Sequence, residues 1–238
     1  MSGWLADPSA RTEVGAVSAL GVGPLPREAR THVAIGPEGT ARDGMLFETT
    51  GLRFERAEGG VGGEPLALHV AVSVPDGLGR ALRDELAPAG GKRRLVRFRK
   101  DERAALPSCP EAVAKHVRGE EGEETVRVRV VLMTPGCFEA GALPSDGSPM
   151  LAAHEGLTAR LVAAAVGRPV TVSGWDFVEG GAKPSRRLAA AGSVYWVELK
   201  GSPESRSRWL ERVWMQNVSD LEQDRRDGYG LAVVGVAR

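Results

Sequence analysis

The residues best suited to chemistry in this chain are cations held in glycine-rich loops. Gly180-Gly181-Ala182-Lys183-Pro184-Ser185-Arg186-Arg187 leads into a strand-like run from Gly192 to Glu198. Gln223-Asp224-Arg225-Arg226-Asp227-Gly228-Tyr229-Gly230 leads into another, Leu231 to Gly235. Glycine permits positive φ and a close backbone approach to a ligand. Arginine presents a planar fork that matches phosphate oxygens. This pattern suits gripping a phosphate backbone. Lys183, Arg186 and Arg187 have no acid beside them in sequence, whereas Arg225 and Arg226 lie between Asp224 and Asp227 and can pair locally. Gly228 and Gly230 would let the backbone come near a phosphate, and Tyr229 between them suits either base stacking or the start of a core strand.

The densest basic stretch is Lys92-Arg93-Arg94-Leu95-Val96-Arg97-Phe98-Arg99-Lys100. Arg93 and Arg94 are candidate nucleic-acid contacts. The competing explanation is an edge strand whose cations deter sheet-to-sheet pairing. Catalytic groups are sparse. His32, His69, His116 and His154 have no second His or Lys at a telling distance, so acid–base cleavage has little to rest on. No Gly-Gly-Asp-Asp, His-Asp pair or Walker-type loop occurs, which excludes the chemistries those motifs carry. Cys109 and Cys137 lack C-x-x-C spacing, and the expectation is two free thiols in a reducing cytosol, with no metal and no cofactor.

Formal net charge is zero and 42% of residues are hydrophobic, so the chain is a globular protein rather than a cationic coat. It holds 26 Arg against 5 Lys, with Asn217 and Ile35 the sole Asn and Ile. That skew fits a GC-rich genome, and it discounts the arginine excess as a sign of function. No run of about 18 apolar residues suggests a membrane helix. Met1 to Asp7 has no signal-peptide organisation, and the expectation is a soluble, cytoplasmic protein with no membrane partner and no small-molecule substrate.

These loops need elements to position them. Residues 1–30 read as an irregular lead-in. An extended segment through Leu52 and Phe54 ends at the glycines of 59–63. Leu66, Leu68, Val70, Val72 and Val74 alternate as one face of a strand. Leu78, Leu82 and Leu86 keep helical spacing, and residues 92–100 read as a strand. A helix is expected at 110–118, followed by an acidic connector at 119–124, where we place the domain boundary. Beyond it come a strand at 125–133, a helix at 155–166, strands at 169–177 and 193–199, a helix at 203–215 and a strand at 230–236. Trp209 and Trp214 fall on an amphipathic helix face, and Trp175 and Trp196 read as cross-strand core. The order β-α-β-β-α-β is the ferredoxin-like plan. Residues 45–100 give only β-β-α-β, a partial copy. The expected fold is therefore α+β, with a partial ferredoxin-like (RRM-like) module in 1–118 and a complete one in 125–238.

With those residues assembled, the chain resembles the RAMP superfamily of CRISPR proteins, and more closely the family of third subunits of the type III-B Cmr complex. The resemblance rests on His32 with Gly39-Thr40-Ala41 and Leu46-Phe47-Glu48-Thr49, and on Gly90-Gly91-Lys92-Arg93-Arg94. It rests further on Leu132-Met133-Thr134-Pro135-Gly136-Cys137-Phe138, on Gly174-Trp175-Asp176 with the 181–187 and 191–195 segments, and on Val218-Ser219-Asp220 with the 223–231 segment. It implies a non-catalytic subunit that grips the 5′ repeat-derived handle of crRNA beside the large polymerase-like subunit and the backbone RAMP subunits. The implied RNA contacts are Lys183, Arg186, Arg187, Arg225, Arg226, Gly228 and Gly230, then Arg93 and Arg94. Members of the family begin with a further strand and helix, which here would precede Met1. Two other readings stay open: a RAMP endoribonuclease that processes repeat RNA, and a structural remnant that binds only protein.

Overall fold

A computed structural model describes residues 2–7, 9, 27–52, 67–72, 74–75, 77, 83–89, 95–101, 105–154 and 156–237. In chain order the elements are α1 (Ser2–Ala6), β1 (Arg27–Ile35), β2 (Ala41–Leu52), β3 (Glu85–Pro88), β4 (Leu95–Phe98), α2 (Glu111–Arg118), β5 (Thr125–Leu132), β6 (Thr158–Ala165), β7 (Val170–Val172), β8 (Trp175–Asp176), β9 (Gly181–Ala182), β10 (Arg186–Leu188), β11 (Val194–Lys200), α3 (Pro203–Val213), α4 (Glu222–Arg226) and β12 (Ala232–Val236). They fall into two units, Met1–Arg11 with Ala105–Arg238, and Thr12–Ala104. The fold is mixed α and β, with antiparallel sheets. Among the described residues no helix is long and apolar enough to cross a membrane.

The larger unit is built on β5. Val126, Val128, Val130 and Leu132 alternate along it, and all are buried. Hydrogen bonding on both sides makes β5 a central strand of a sheet in the order β12-β5-β11-β6. On β11 the same alternation buries Tyr195, Val197 and Leu199. These side chains form one core with Val113 and Val117 of α2 and with Trp209, Leu210 and Val213 of α3. Each fully buried side chain of this kind stabilises by about 1.5–3 kcal/mol. α3 starts where Ser202 accepts a hydrogen bond from the Ser205 N–H and Pro203 takes the first turn. The Trp209 indole N–H meets the Met150 carbonyl at 3.0 Å, so this tryptophan is core as expected.

Several sequence expectations need correction here. The helix expected at 155–166 is the strand β6. Its alanines favour a helix, but Ala159 and Leu161 turn toward the core while the open edge of β11 supplies hydrogen-bond partners, and tertiary pairing overrides propensity. The strand expected at 169–177 breaks into β7 and β8. Trp175 is 56% exposed rather than cross-strand core, and Trp196 is half-buried, because the inward register of β11 belongs to Tyr195. The acidic run 119–124 joins α2 to β5 within the larger unit.

Residues 1–30 begin not as an irregular lead-in but with α1. Leu5 is 2% exposed, and its carbonyl lies 3.1 Å from where a Cβ on Gly235 would sit. The buried Arg129 guanidinium donates to the Trp4 and Val236 carbonyls and lies 4.1 Å over the Trp4 ring.

The smaller unit, in its described residues, contains two antiparallel hairpins, β1 with β2 and β3 with β4. His32 pairs across to Phe47, stacks on it at 5.3 Å and bonds the Thr49 hydroxyl. The strand expected at 66–74 is absent among its described residues, where Leu68, Val70, Val72 and Val74 are exposed. Alternation selects a face, but a strand also needs a neighbouring edge. Leu86 lies on β3 rather than on a helix, while Leu66, Leu78, Leu82, Phe54 and 59–63 lie outside the described residues.

The docking of α1 gives a test. Leu5→Ala should lower the stability of the larger unit by about 2–3 kcal/mol, the range for a buried leucine truncation. Thermal unfolding measures it, and an unchanged midpoint would show that α1 contributes nothing to this core.

Candidate nucleic-acid interface

The first glycine–arginine segment is held by short strands. β10 pairs with β7, so Arg186 lies opposite Val172 and Arg187 opposite Thr171. Leu188, 1% exposed, anchors the end of β10, and Ala189 exchanges both backbone hydrogen bonds with Gly136 at 2.9 Å. Arg187 and Lys183 remain exposed. The Lys183 N–H donates to the Gly174 carbonyl at 2.8 Å. Between β8 and β9 the Asp176 carboxylate accepts the Val178 and Glu179 N–H groups. Those bonds hold its pKa below the usual carboxylate value, with the Lys183 charge helping less.

The second segment is tied down by side chains whose role the sequence did not announce. Asp220, 5% exposed, accepts the Glu139 N–H at 2.9 Å and the Ser145 N–H at 3.1 Å. Its own N–H donates to the Cys137 carbonyl. The Ser219 hydroxyl accepts from the Cys137 N–H and donates to the Tyr229 carbonyl. Thr134 donates to the Gly228 carbonyl and accepts the Leu231 N–H. The loop after β5 is thereby stitched to the turn after α4. Only Gly, Pro and Ser marked the 134–149 stretch as loop, and no local signal says which distant carboxylate closes it.

The cations of this segment face different ways. Arg225 is half-buried and its Nη1 donates to the Ser219 and Asp220 carbonyls, both at 2.6 Å. Arg226 is exposed and pairs with Glu222 one turn earlier on α4. Tyr229 is half-buried, with its N–H on the Asp224 carbonyl. Gly228 has φ +87° and open space where a Cβ would go. Gly230 has φ +88°, and a Cβ there would come within 2.8 Å of the Ser219 backbone nitrogen and hydroxyl. Its close approach is thus to protein backbone. Arg93 and Arg94 lie outside the described residues; Arg97 and Arg99 beside them are exposed in the smaller unit.

The two segments meet at one ion pair. Arg186 Nη2 donates to Asp224 Oδ1 at 2.6 Å and also contacts the Cys137 sulfur. Arg186 has no acid beside it in sequence, yet one 38 residues further along the chain binds it in the fold. The hydrogen bond raises the pKa of Arg186, so it stays charged throughout. Asp224 is 3% exposed and its Oδ2 has no hydrogen-bond partner. Around the pair is a pocket of about 280 Å³, lined by Cys137, Phe138, Arg187 and Leu221 among others. Burial, then Asp224, pushes the Cys137 thiol up, and burial takes Cys109 to about 11. Both cysteines are free thiols, protonated at neutral pH. His116 donates to the Arg127 carbonyl from β5. Among the described residues no group of His, Cys, Asp and Glu is arranged to hold a metal ion.

The two glycines separate a turn requirement from a packing requirement. Gly228→Ala should cost about 1–2 kcal/mol, the left-handed backbone penalty alone. Gly230→Ala adds a backbone clash and should cost clearly more, in the range above about 3 kcal/mol that marks severe strain. Denaturant unfolding of both variants checks this, and equal costs would contradict the packing assigned to Gly230.

No curated protein sequence matches the chain. A family model described as CRISPR-associated protein (Cas_Cmr3) matches residues 1–237, spanning the core, both glycine–arginine segments and the hairpins of the smaller unit. The chain belongs to that family of CRISPR-associated proteins.

Proposed function

We propose that this subunit of a Cmr CRISPR complex binds RNA without cleaving it, holding the 5′ repeat-derived handle of crRNA on the surface made by residues 181–187 and 223–230. The observation that carries the reading is the meeting of the two segments at Arg186 and Asp224, with Arg187 exposed beside them. Lys183 and Arg187 take phosphate oxygens, and Arg226 adds a weaker contact because Glu222 competes for it. Arg186 stands at the surface with its guanidinium on Asp224, and Arg225 and Gly230 shape the surface from within. The large polymerase-like subunit and the backbone RAMP subunits are the neighbours in this reading, and the complex acts in the cytoplasm.

The larger unit supports a ferredoxin-like reading. β5, β6, β11 and β12 stand in for the four strands of that plan and α3 for its second helix. Between β5 and β6, where that plan has its first helix, the described residues form no helix.

Filter binding of a repeat-derived RNA to the complex at several salt concentrations tests the function. Lys183→Ala and Arg187→Ala should each weaken binding and flatten the slope of log K against log salt by about 0.7, the value for one phosphate contact on a single strand. Unchanged affinity and slope would contradict the assignment. The RNA should remain intact throughout; metal-independent cleavage that disappears in a His116→Ala or His154→Ala variant would establish an endoribonuclease instead.

A further inference from the structure

We infer that the tip of the β8–β9 hairpin is a protein-docking finger, whose apolar residues Phe177 and Val178 enter an apolar socket with a basic rim on a neighbouring protein subunit of the complex. This goes beyond the RNA-binding reading and does not rest on it.

The hairpin is the outer part of one two-stranded arm, from Val170 to Leu188. β7 pairs with β10 at its root, and β8 pairs with β9 toward its tip. Between the two pairs the Lys183 N–H donates to the Gly174 carbonyl, and the Ser173 hydroxyl donates to the Lys183 carbonyl at 2.7 Å. Leu188 is buried at the root, whereas Phe177 and Val178 at the tip are 90% and 92% exposed. Among the described residues no other large hydrophobic side chain is as open. Trp175 on β8 is also exposed and extends the patch. One exposed apolar residue needs no explanation, but three within four positions form a patch of the kind that marks an interaction site. The tip is shaped in advance, because Asp176 accepts the Val178 and Glu179 N–H groups and Gly180 closes the turn with φ +65°. Such preorganisation lowers the entropy lost on docking.

Charge and area select the partner. Pro169 to Ala182 contains Asp176 and Glu179 but no Lys or Arg, in a chain that holds 26 Arg. Aromatic residues that stack bases work within a positively charged groove. Here they stand beside two carboxylates, which repel phosphate, and Val178 offers no ring to stack. The same two acids fit Lys or Arg around a socket on a protein. At their exposures the three side chains present on the order of 400 Å². That is half of the roughly 800 Å² each partner brings to a stable interface. The tip is therefore an anchor inside a larger contact and too small to hold two copies of this chain together, and identical acidic tips would repel. Aromatic anchors concentrate in the cores of interfaces. The Cas_Cmr3 family places the chain in a complex of several subunits, which supplies the neighbour.

The test puts a photoreactive benzophenone amino acid at position 177 of this chain within the assembled complex. Light should crosslink it to a different protein subunit, at a peptide of apolar residues with Lys or Arg beside them. A crosslink to RNA, a crosslink to a second copy of this chain, or no crosslink at all overturns the proposal. Phe177→Ser should weaken association with the crosslinked subunit by about thirtyfold, the loss for one anchor residue. Glu179→Lys keeps every apolar group and should weaken the same association by about fivefold, the upper range for one exposed charge pair. Both positions are exposed, so the thermal midpoint of the isolated chain should not move. Both variants should bind repeat-derived RNA as the wild type does, since neither touches Lys183 or Arg187. Unchanged association of both variants overturns the finger and leaves the phosphate-grip reading standing. Weakened RNA binding with association intact overturns it as well.

Discussion

The candidate surface depends on one ion pair, between the buried carboxylate of Asp224 and the exposed guanidinium of Arg186. Asp224 is nearly inaccessible to water, and burying a carboxylate without a partner is costly. Arg186 supplies it from a segment remote in sequence, where β10 pairs with β7 and Ala189 bridges to Gly136. The pair therefore does more than neutralise charge. It sets the distance between the two glycine–arginine segments and creates the pocket between them. Asp220 does related work a few residues earlier, gathering amides from Glu139 and Ser145. Polar contacts thus define the loops, and the apolar sheet carries them at its strand ends.

This arrangement divides cations that look equivalent in sequence. Arg225 is half-buried on two backbone carbonyls, Arg186 is exposed but serves a carboxylate, and Arg187 and Lys183 face solvent. A chain of zero net charge gains affinity for a polyanion through such local asymmetry, because most of its charges cancel elsewhere. The Arg127–Glu198–Arg160 set across β5, β11 and β6 shows the other use of charge. The paired arginines, Arg160 first, hold Glu198 below its usual pKa, and the set contributes little to stability.

Much of the larger unit was legible because strict periodicity survives there. Val126 to Leu132, Tyr195 to Leu199 and the Trp209 face of α3 each show a single period, and each formed the element its period specifies. β6 misled because an alanine-rich run fits a helix until an unfilled sheet edge is known. The 66–74 run misled in the opposite direction: it alternates cleanly, but its described residues pair with no strand. α1 was invisible because five residues set no period, and Leu5 finds room in the core partly because Gly235 carries no side chain. The two glycine–arginine segments were recognisable as a set. The Asp224 contact to Arg186 was not, since ion pairing across 38 residues leaves no local trace. The family, in contrast, was recognisable from motif order, because it depends on many short segments in sequence rather than on any one contact.

The claim that Arg186 and Asp224 clamp the two segments can be measured by a double-mutant cycle. Unfolding free energies of wild type, Arg186→Ala, Asp224→Ala and the double variant isolate their coupling. The account predicts a favourable coupling of about 1–3 kcal/mol, as for contacting charged partners that share a hydrogen bond. Additivity within about 0.3–0.5 kcal/mol, the behaviour of independent sites, would contradict it.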